Sequence, residues 1–172
     1  MAASAPTFEA HKIEMGREVL RAGGSFRLRV LGMSMLPSIW PGDIVTIESD
    51  SQDAIVAGAI FLFAREGRFV VHRLARKLES QNQIFWVSRG DAMPEDDPAW
   101  SQHDLVGRVS KVERKRRVFA PAGELSQFAR AAGWILCHNS LLRNLVLRIH
   151  SFSVRQLQHP DLCRPSLRGT AR

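Results

Sequence analysis

Residues 32–43 read Gly-Met-Ser-Met-Leu-Pro-Ser-Ile-Trp-Pro-Gly-Asp, and this stretch indicates the kind of fold. The preceding residues 26–30, Phe-Arg-Leu-Arg-Val, alternate apolar and basic side chains as a half-buried strand does. Ser34 therefore lies in a turn that leads to Gly42-Asp43 and the start of a further strand. Such a turn can expose the serine hydroxyl and direct backbone N–H groups towards a developing oxyanion. Because a hydroxyl attacks only when a nearby base takes its proton, a base is expected elsewhere in the chain.

Two later stretches contain side chains that suit this chemistry. Residues 69–74 read Phe-Val-Val-His-Arg-Leu and place His72 in an otherwise apolar strand. Residues 88–97 read Ser-Arg-Gly-Asp-Ala-Met-Pro-Glu-Asp-Asp, an acidic turn that directly follows a predicted strand. A carboxylate of this turn can lie against the imidazole, so serine, histidine and aspartate in this chain order predict a catalytic triad.

Four blocks, in this order and spacing, resemble the signal-peptidase family of serine peptidases. They are Gly-x-Ser-Met-x-Pro with Gly-Asp, then Val-His-Arg, then Arg-Gly-Asp with a further Asp, and finally Val-Gly-Arg-Val. The resemblance covers roughly residues 26–112. The histidine of the second block is similar to the archaeal and endoplasmic-reticulum branch. The usual bacterial enzymes, and the self-cleaving SOS-type repressors that share the fold, have a lysine there.

The resemblance implies a role for each candidate site residue. Ser34 would be the nucleophile and His72 the general base. Asp91, directly after the glycine, and Asp97, six residues later, match the two aspartates of the family, and Asp96 could substitute for Asp97. The resemblance also implies cleavage after small residues by a β-rich fold that receives its substrate as an added strand.

Met33 and Met35 flank the candidate nucleophile and are predicted to line the substrate groove, with core packing as the alternative for Met35. No metal or organic cofactor is expected, because the histidines and cysteines do not cluster at ligand spacing. Cys137 and Cys163 are interpreted as ordinary thiols.

Three features depart from the family pattern. The chain has no N-terminal membrane helix, and residues 90–93 read Gly-Asp-Ala-Met instead of Gly-Asp-Asn-Asn. Gly32, two residues before the nucleophile, offers no hydroxyl to an oxyanion, so stabilisation would fall to backbone N–H groups, chiefly that of Ser34. The missing spanning helix favours a cytoplasmic or membrane-surface maturation protease that acts on one dedicated precursor.

The pattern of breakers and periodicity divides the chain into four parts. We expect an N-terminal helical segment over 1–25, a mainly β, signal-peptidase/SOS-repressor-like peptidase domain over 26–120, a helical basic extension over 121–158 and a disordered tail over 159–172. Helices are predicted over 8–22, 124–137 and 140–157, and a hairpin at Glu66-Gly67. The predicted strands cover 26–30, 43–48, 59–64, 68–77, 84–88 and 105–112.

The net charge of +7 over 172 residues is unevenly distributed. Residues 1–110 carry −2 and residues 111–172 carry +9. The basic extension is interpreted as a packed appendage with a solvated arginine face. The alternatives are peripheral contact of residues 140–157 with anionic membrane, or binding of a partner, nucleic acid being the least expected. No apolar run approaches the roughly 20 residues that span a bilayer.

The predicted function is that of a serine endopeptidase that cleaves a precursor or leader peptide after small residues. One alternative is a non-catalytic peptide-binding module on the same fold. The other is a self-cleaving repressor-type regulator, which needs a DNA-binding domain ahead of the peptidase. The 25 residues before the first strand are too few for that domain.

Overall fold

Antiparallel strands are the main regular structure in this computed structural model, which describes residues 8–50, 55–80, 83–123 and 126–139. The described strands form one sheet in the order β1-β2-β7-β3-β4-β5-β6, with β8 paired to β7. The protein is therefore mainly β, as the sequence predicts. The strands are β1 (Ser25–Arg29), β2 (Ile44–Glu48), β3 (Ile60–Arg65), β4 (Arg68–Ser80), β5 (Gln83–Arg89), β6 (Trp100–Ser101), β7 (Leu105–Arg114) and β8 (Arg117–Phe119), and the helices are α1 (Phe8–Arg21) and α2 (Gln127–His138).

Helix α1 packs on the first strand through a small residue. Gly16 lies under the ring of Phe26, where an added Cβ would come within 3.1 Å of the ring. Leu20, one turn further along the helix, is buried in the core. The helix ends at Arg21, and two residues later Gly23, with a φ of 75°, turns the chain through the left-handed region that glycine adopts readily.

Strand β3 is the centre of the fold because both of its faces are buried. Ile60 and Leu62 face one apolar cluster, whereas Phe61 and Phe63 face another that includes Leu74, Trp86 and Trp100. A strand covered on both sides has a continuous apolar sequence rather than an alternating one. This explains why residues 59–64 read Ala-Ile-Phe-Leu-Phe-Ala.

Two hairpins close with two-residue turns of the same backbone type. Glu66 and Gly67, predicted as a turn, have φ values of 53° and 76° and join β3 to β4. Lys115 and Arg116 have φ values of 47° and 67° and join β7 to β8. The second hairpin is not predicted from the sequence, because two long basic side chains rarely occupy this turn.

The end of the loop that carries Ser34 is held by a buried ion pair. Asp43 is 2% exposed, accepts a hydrogen bond from the backbone N–H of Trp40 at 2.8 Å and pairs with Arg114 of β7 at 2.7 Å. The same guanidinium donates to the carbonyl of Ser38 at 2.9 Å. Arg114 therefore connects the loop to the sheet at two points.

The predicted helix over 124–137 corresponds to α2 at Gln127–His138. The predicted helix over 140–157, its contact with anionic membrane and the tail over 159–172 lie outside the described residues. Among the described helices, none has the length and apolar character needed to cross a bilayer.

We predict that Arg114→Met lowers the free energy of unfolding by about 2–3 kcal/mol, because it leaves the buried Asp43 carboxylate without its charged donor. The matched control is Arg27→Met on β1, which removes an exposed ion pair with Glu113, the residue before Arg114 on β7. That change should reduce stability by less than about 1 kcal/mol. Urea denaturation measures both values, and equal losses would contradict the role assigned to Arg114.

Candidate active site

His72 lies in β4 opposite Phe61 of β3, so its imidazole points to the same face as that ring. The residue is 7% exposed and is thus one of the few buried polar side chains of the described chain. Strand β5 pairs with β4 only from Arg73 onwards. As a result, residues 68–72 pair with β3 along one edge, and no described strand covers the other edge.

Ser34 is brought to His72 by the loop between β1 and β2. Its Oγ lies 2.8 Å from Nε2 of His72, a hydrogen-bond distance. The loop itself is compact, since the N–H of Leu36 donates to the carbonyl of Met33 and that of Ile39 to the carbonyl of Met35. In the parts of the chain that the structure describes, the backbone N–H of Ser34 has no acceptor.

Asp97 lies on the opposite side of the same imidazole. Its Oδ2 is 2.6 Å from Nδ1 of His72. The acidic turn leaves β5 after Arg89 and returns to it, because the N–H of Asp97 donates to the carbonyl of Ser88 at 2.8 Å. Ser34, His72 and Asp97 thus form a continuous hydrogen-bonded row.

The other two aspartates of the turn have different partners. Both carboxylate oxygens of Asp91 accept hydrogen bonds from Arg73, at 2.8 and 2.9 Å. Strand β5 ends at Arg89, opposite Arg73. Asp91 therefore lies beside the guanidinium of Arg73 and not beside the imidazole of His72. Asp96 pairs with Arg76 and, at 3.6 Å, with Arg89. Of the three carboxylates considered from sequence, only Asp97 contacts His72 in this structure.

The acidic turn also holds the backbone of Ser34 in place. The N–H of Ala92 donates to the Ser34 carbonyl at 2.8 Å. A Cβ on Gly90 would lie 2.6 Å from that carbonyl oxygen and 3.0 Å from the Ser34 Cβ. Gly90 is therefore needed for close approach of the two loops.

The pKa of Asp97 reflects two opposing effects. Burial raises the pKa of this carboxyl, but hydrogen bonds from His72 and Ser88 and the charge of His72 more than offset burial, so the net pKa is lowered. Asp97 is consequently a carboxylate at neutral pH and can only accept hydrogen bonds. Nδ1 of His72 then carries the proton, which leaves the lone pair of Nε2 facing the Ser34 hydroxyl.

A cleft of about 470 Å³ adjoins Ser34 and His72. It lies between residues 28–32, which follow the free edge of β1, and residues 69–72 of β4. Met35 lines the cleft and is also part of the buried core, whereas Met33 lies at the surface of the loop and is 37% exposed. In the described ranges, no three His, Cys, Asp or Glu side chains come together as metal ligands would.

Several residues of the site were not predicted from the sequence. Ser88 donates a hydrogen bond to Asp97, and Trp100 donates one to Ser88. Gly133 of α2 lies against the carbonyl oxygens of Asp91 and Leu36. Ser88 could have been noticed as a polar residue at a buried strand position two residues before Gly90. Gly133 has no comparable signal, since a glycine in a helix does not indicate which surface it meets.

The sequence model of the Peptidase S24-like family matches residues 2–110. The chain belongs to this family. The match includes Ser34, His72 and Asp97 and ends within β7, so β8 and α2 lie beyond it. Membership of the Peptidase S24-like family agrees with the resemblance to the signal-peptidase and SOS-repressor type of fold. No curated protein matches the chain.

We predict that Gly90→Ala destabilises the protein by about 1–3 kcal/mol, because the new methyl group overlaps the backbone of Ser34. Gly123→Ala is the matched control, since a Cβ there meets nothing within 4 Å. The control should be neutral or stabilising by up to about 1 kcal/mol. Urea denaturation of both variants tests this, and an unchanged midpoint for Gly90→Ala would show that the loops are not tightly packed.

Proposed function

We propose that this protein is a serine endopeptidase in which Ser34 is the nucleophile, His72 the general base and Asp97 the group that orients the base. The observation that carries the proposal is the double hydrogen bonding of His72, to Ser34 at 2.8 Å and to Asp97 at 2.6 Å. A nucleophile bonded to a base that is itself oriented by a third group is the arrangement that activates a hydroxyl.

In the first step, the Oγ of Ser34 attacks the carbonyl carbon of the substrate peptide bond, and its proton passes to Nε2 of His72. Asp97 stabilises the imidazolium that forms. The tetrahedral intermediate collapses when His72 returns the proton to the leaving nitrogen and the C–N bond breaks. An acyl ester on Ser34 and a free amine result.

The negative charge of the tetrahedral intermediate falls to backbone donors. The N–H of Ser34 is a free backbone donor at the nucleophile itself, and Gly32 provides no side chain that could help. Removing a single such donor in other enzymes reduces kcat about a hundred- to a thousandfold, so one donor contributes substantially. Water that transfers a proton to His72 then hydrolyses the ester, with the same atoms acting in reverse order.

The substrate is proposed to be an extended peptide of a precursor or leader. The end of β1 with the residues that follow it, 28–32, and residues 68–72 of β4 border the cleft beside Ser34, and no described strand covers the outer edge of β1 or of this part of β4. An extended peptide can add to such an edge through main-chain hydrogen bonds, with its alternate side chains entering the cleft. Leu31, which is 81% exposed, and Met33 offer apolar contacts along this path. Preference for small residues before the cut rests on the resemblance to signal peptidases.

The cytoplasmic location predicted from the sequence and the role of residues 140–157 at an anionic membrane stay predictions.

Exposure of the purified protein to a diverse peptide library tests the activity. Wild type should cleave after small residues, and Ser34→Ala should lose on the order of a thousandfold to a millionfold of this rate, because the nucleophile is gone. Ser38→Ala, in the same loop, should retain the rate. Mass spectrometry of the products identifies each cut.

Two results would contradict the proposal. Cleavage by Ser34→Ala at the wild-type rate would exclude Ser34 as the nucleophile. Peptide binding without cleavage by either protein would favour the peptide-binding module.

A further inference from the structure

A second row of hydrogen bonds reaches Asp97 from the interior of the protein. The indole N–H of Trp100 donates to the Ser88 hydroxyl at 2.8 Å, and that hydroxyl donates to Oδ2 of Asp97. Ser88 is 0% exposed. The oxygen that receives this bond is the one that faces Nδ1 of His72.

The direction of these bonds follows from the groups involved. An indole N–H can only donate, so the Ser88 oxygen accepts the proton of Trp100. The single hydroxyl proton of Ser88 is then available to Asp97, which as a carboxylate can only accept. Two donors, one on β4 and one on β5, therefore converge on one oxygen of Asp97, and together they define the orientation of its carboxylate.

The far end of the row is firmly held. The indole of Trp100 stacks on Phe63 of the central strand, with ring centres 5.0 Å apart and planes 20° apart. The guanidinium of Arg65 lies over the indole at 4.4 Å. Backbone pairing of Trp100 with Trp86 attaches β6 to β5. The indole N–H is thus fixed relative to the core of the sheet.

We propose that Ser88 and Trp100 are positioning residues of the candidate active site: they hold the Asp97 carboxylate in the orientation that keeps His72 aligned with Ser34. The effect on hydrolysis rests on the proposed function, whereas the effect on Asp97 and His72 does not.

The same contacts affect the charge of Asp97. Burial raises the pKa of Asp97, and the hydrogen bonds from His72 and Ser88 counteract that effect. Without the Ser88 hydroxyl, one of the offsetting bonds is lost and the carboxyl protonates at higher pH. Asp97 faces His72 on β4 and follows Asp96 in the chain. The charge of Asp96 is paired with Arg76 of β4 and Arg89 of β5. No other described group donates a hydrogen bond from its side chain to Asp97.

The kinetic test compares Ser88→Ala with Ser88→Thr, which keeps the hydroxyl, and Trp100→Phe, which keeps an aromatic ring but lacks the N–H. Ser110→Ala is the matched control, because Ser110 is also a strand serine with a hydrogen-bonded hydroxyl, but it is only partly buried and donates to the carbonyl of Thr46. Thermal melting first establishes that each variant is folded.

For Ser88→Ala we expect kcat to fall about ten- to a hundredfold with KM little changed, as for loss of a hydrogen bond to a charged group. The loss should lie in kcat and not in KM, whereas a general loosening of the groove would raise KM as well. Ser88→Thr should restore kcat, and Trp100→Phe should show a smaller loss. Wild-type kcat in folded Ser88→Ala would overturn the inference.

A second measurement separates this inference from the proposed function. The Nδ1 proton of His72, shared with Asp97, should give a downfield proton NMR signal that is absent from His72→Gln. In Ser88→Ala the signal should broaden or disappear, because a carboxylate with one donor can rotate, whereas Ser110→Ala should retain it. An unchanged signal in Ser88→Ala would overturn the positioning role even if the wild type cleaves no peptide. Inactivity of the wild type with the expected NMR change would overturn only the proposed function.

Discussion

The contact between the loop that carries Ser34 and the acidic turn after β5 is the constraint on which the candidate site depends. Gly90 lies against the backbone of Ser34, and the N–H of Ala92 donates to the Ser34 carbonyl. Only this close approach allows His72, on the strand between the loops, to reach Ser34 on one side and Asp97 on the other. The methyl group of an alanine at position 90 would separate them.

Buried ion pairs hold each of these loops to the sheet. Arg114 of β7 binds Asp43 at the end of the nucleophile loop, and Arg73 of β4 binds Asp91 in the acidic turn. Arg73 also donates to the carbonyls of residues 58 and 122, at 2.5 and 2.7 Å, and so connects the segment before α2 to the same point. Charged residues near the candidate catalytic histidine thus hold the loops in place. Their nearness to His72 does not by itself give them a catalytic role.

Much of this arrangement could be predicted from the sequence because it depends on local patterns. Alternation and breakers predict six of the eight described strands, and the blocks around Ser34 and His72 predict the two groups that meet. The choice among Asp91, Asp96 and Asp97 depends on how the turn folds back onto β5, which no local pattern specifies. Strand β8 follows a Lys-Arg turn without the usual glycine or asparagine, and Trp100 reaches Ser88 across twelve residues.

The central claim is that Asp97, and not Asp91, orients His72, and comparison of Asp97→Asn with Asp91→Asn tests it most directly. In folded protein at pH 7, Asp97→Asn should reduce kcat by up to about ten-thousandfold, because the amide favours the wrong imidazole tautomer. Asp91→Asn should mainly lower the melting temperature, since it weakens the pair with Arg73 and leaves His72 oriented. A larger loss of kcat in folded Asp91→Asn than in Asp97→Asn would contradict the account.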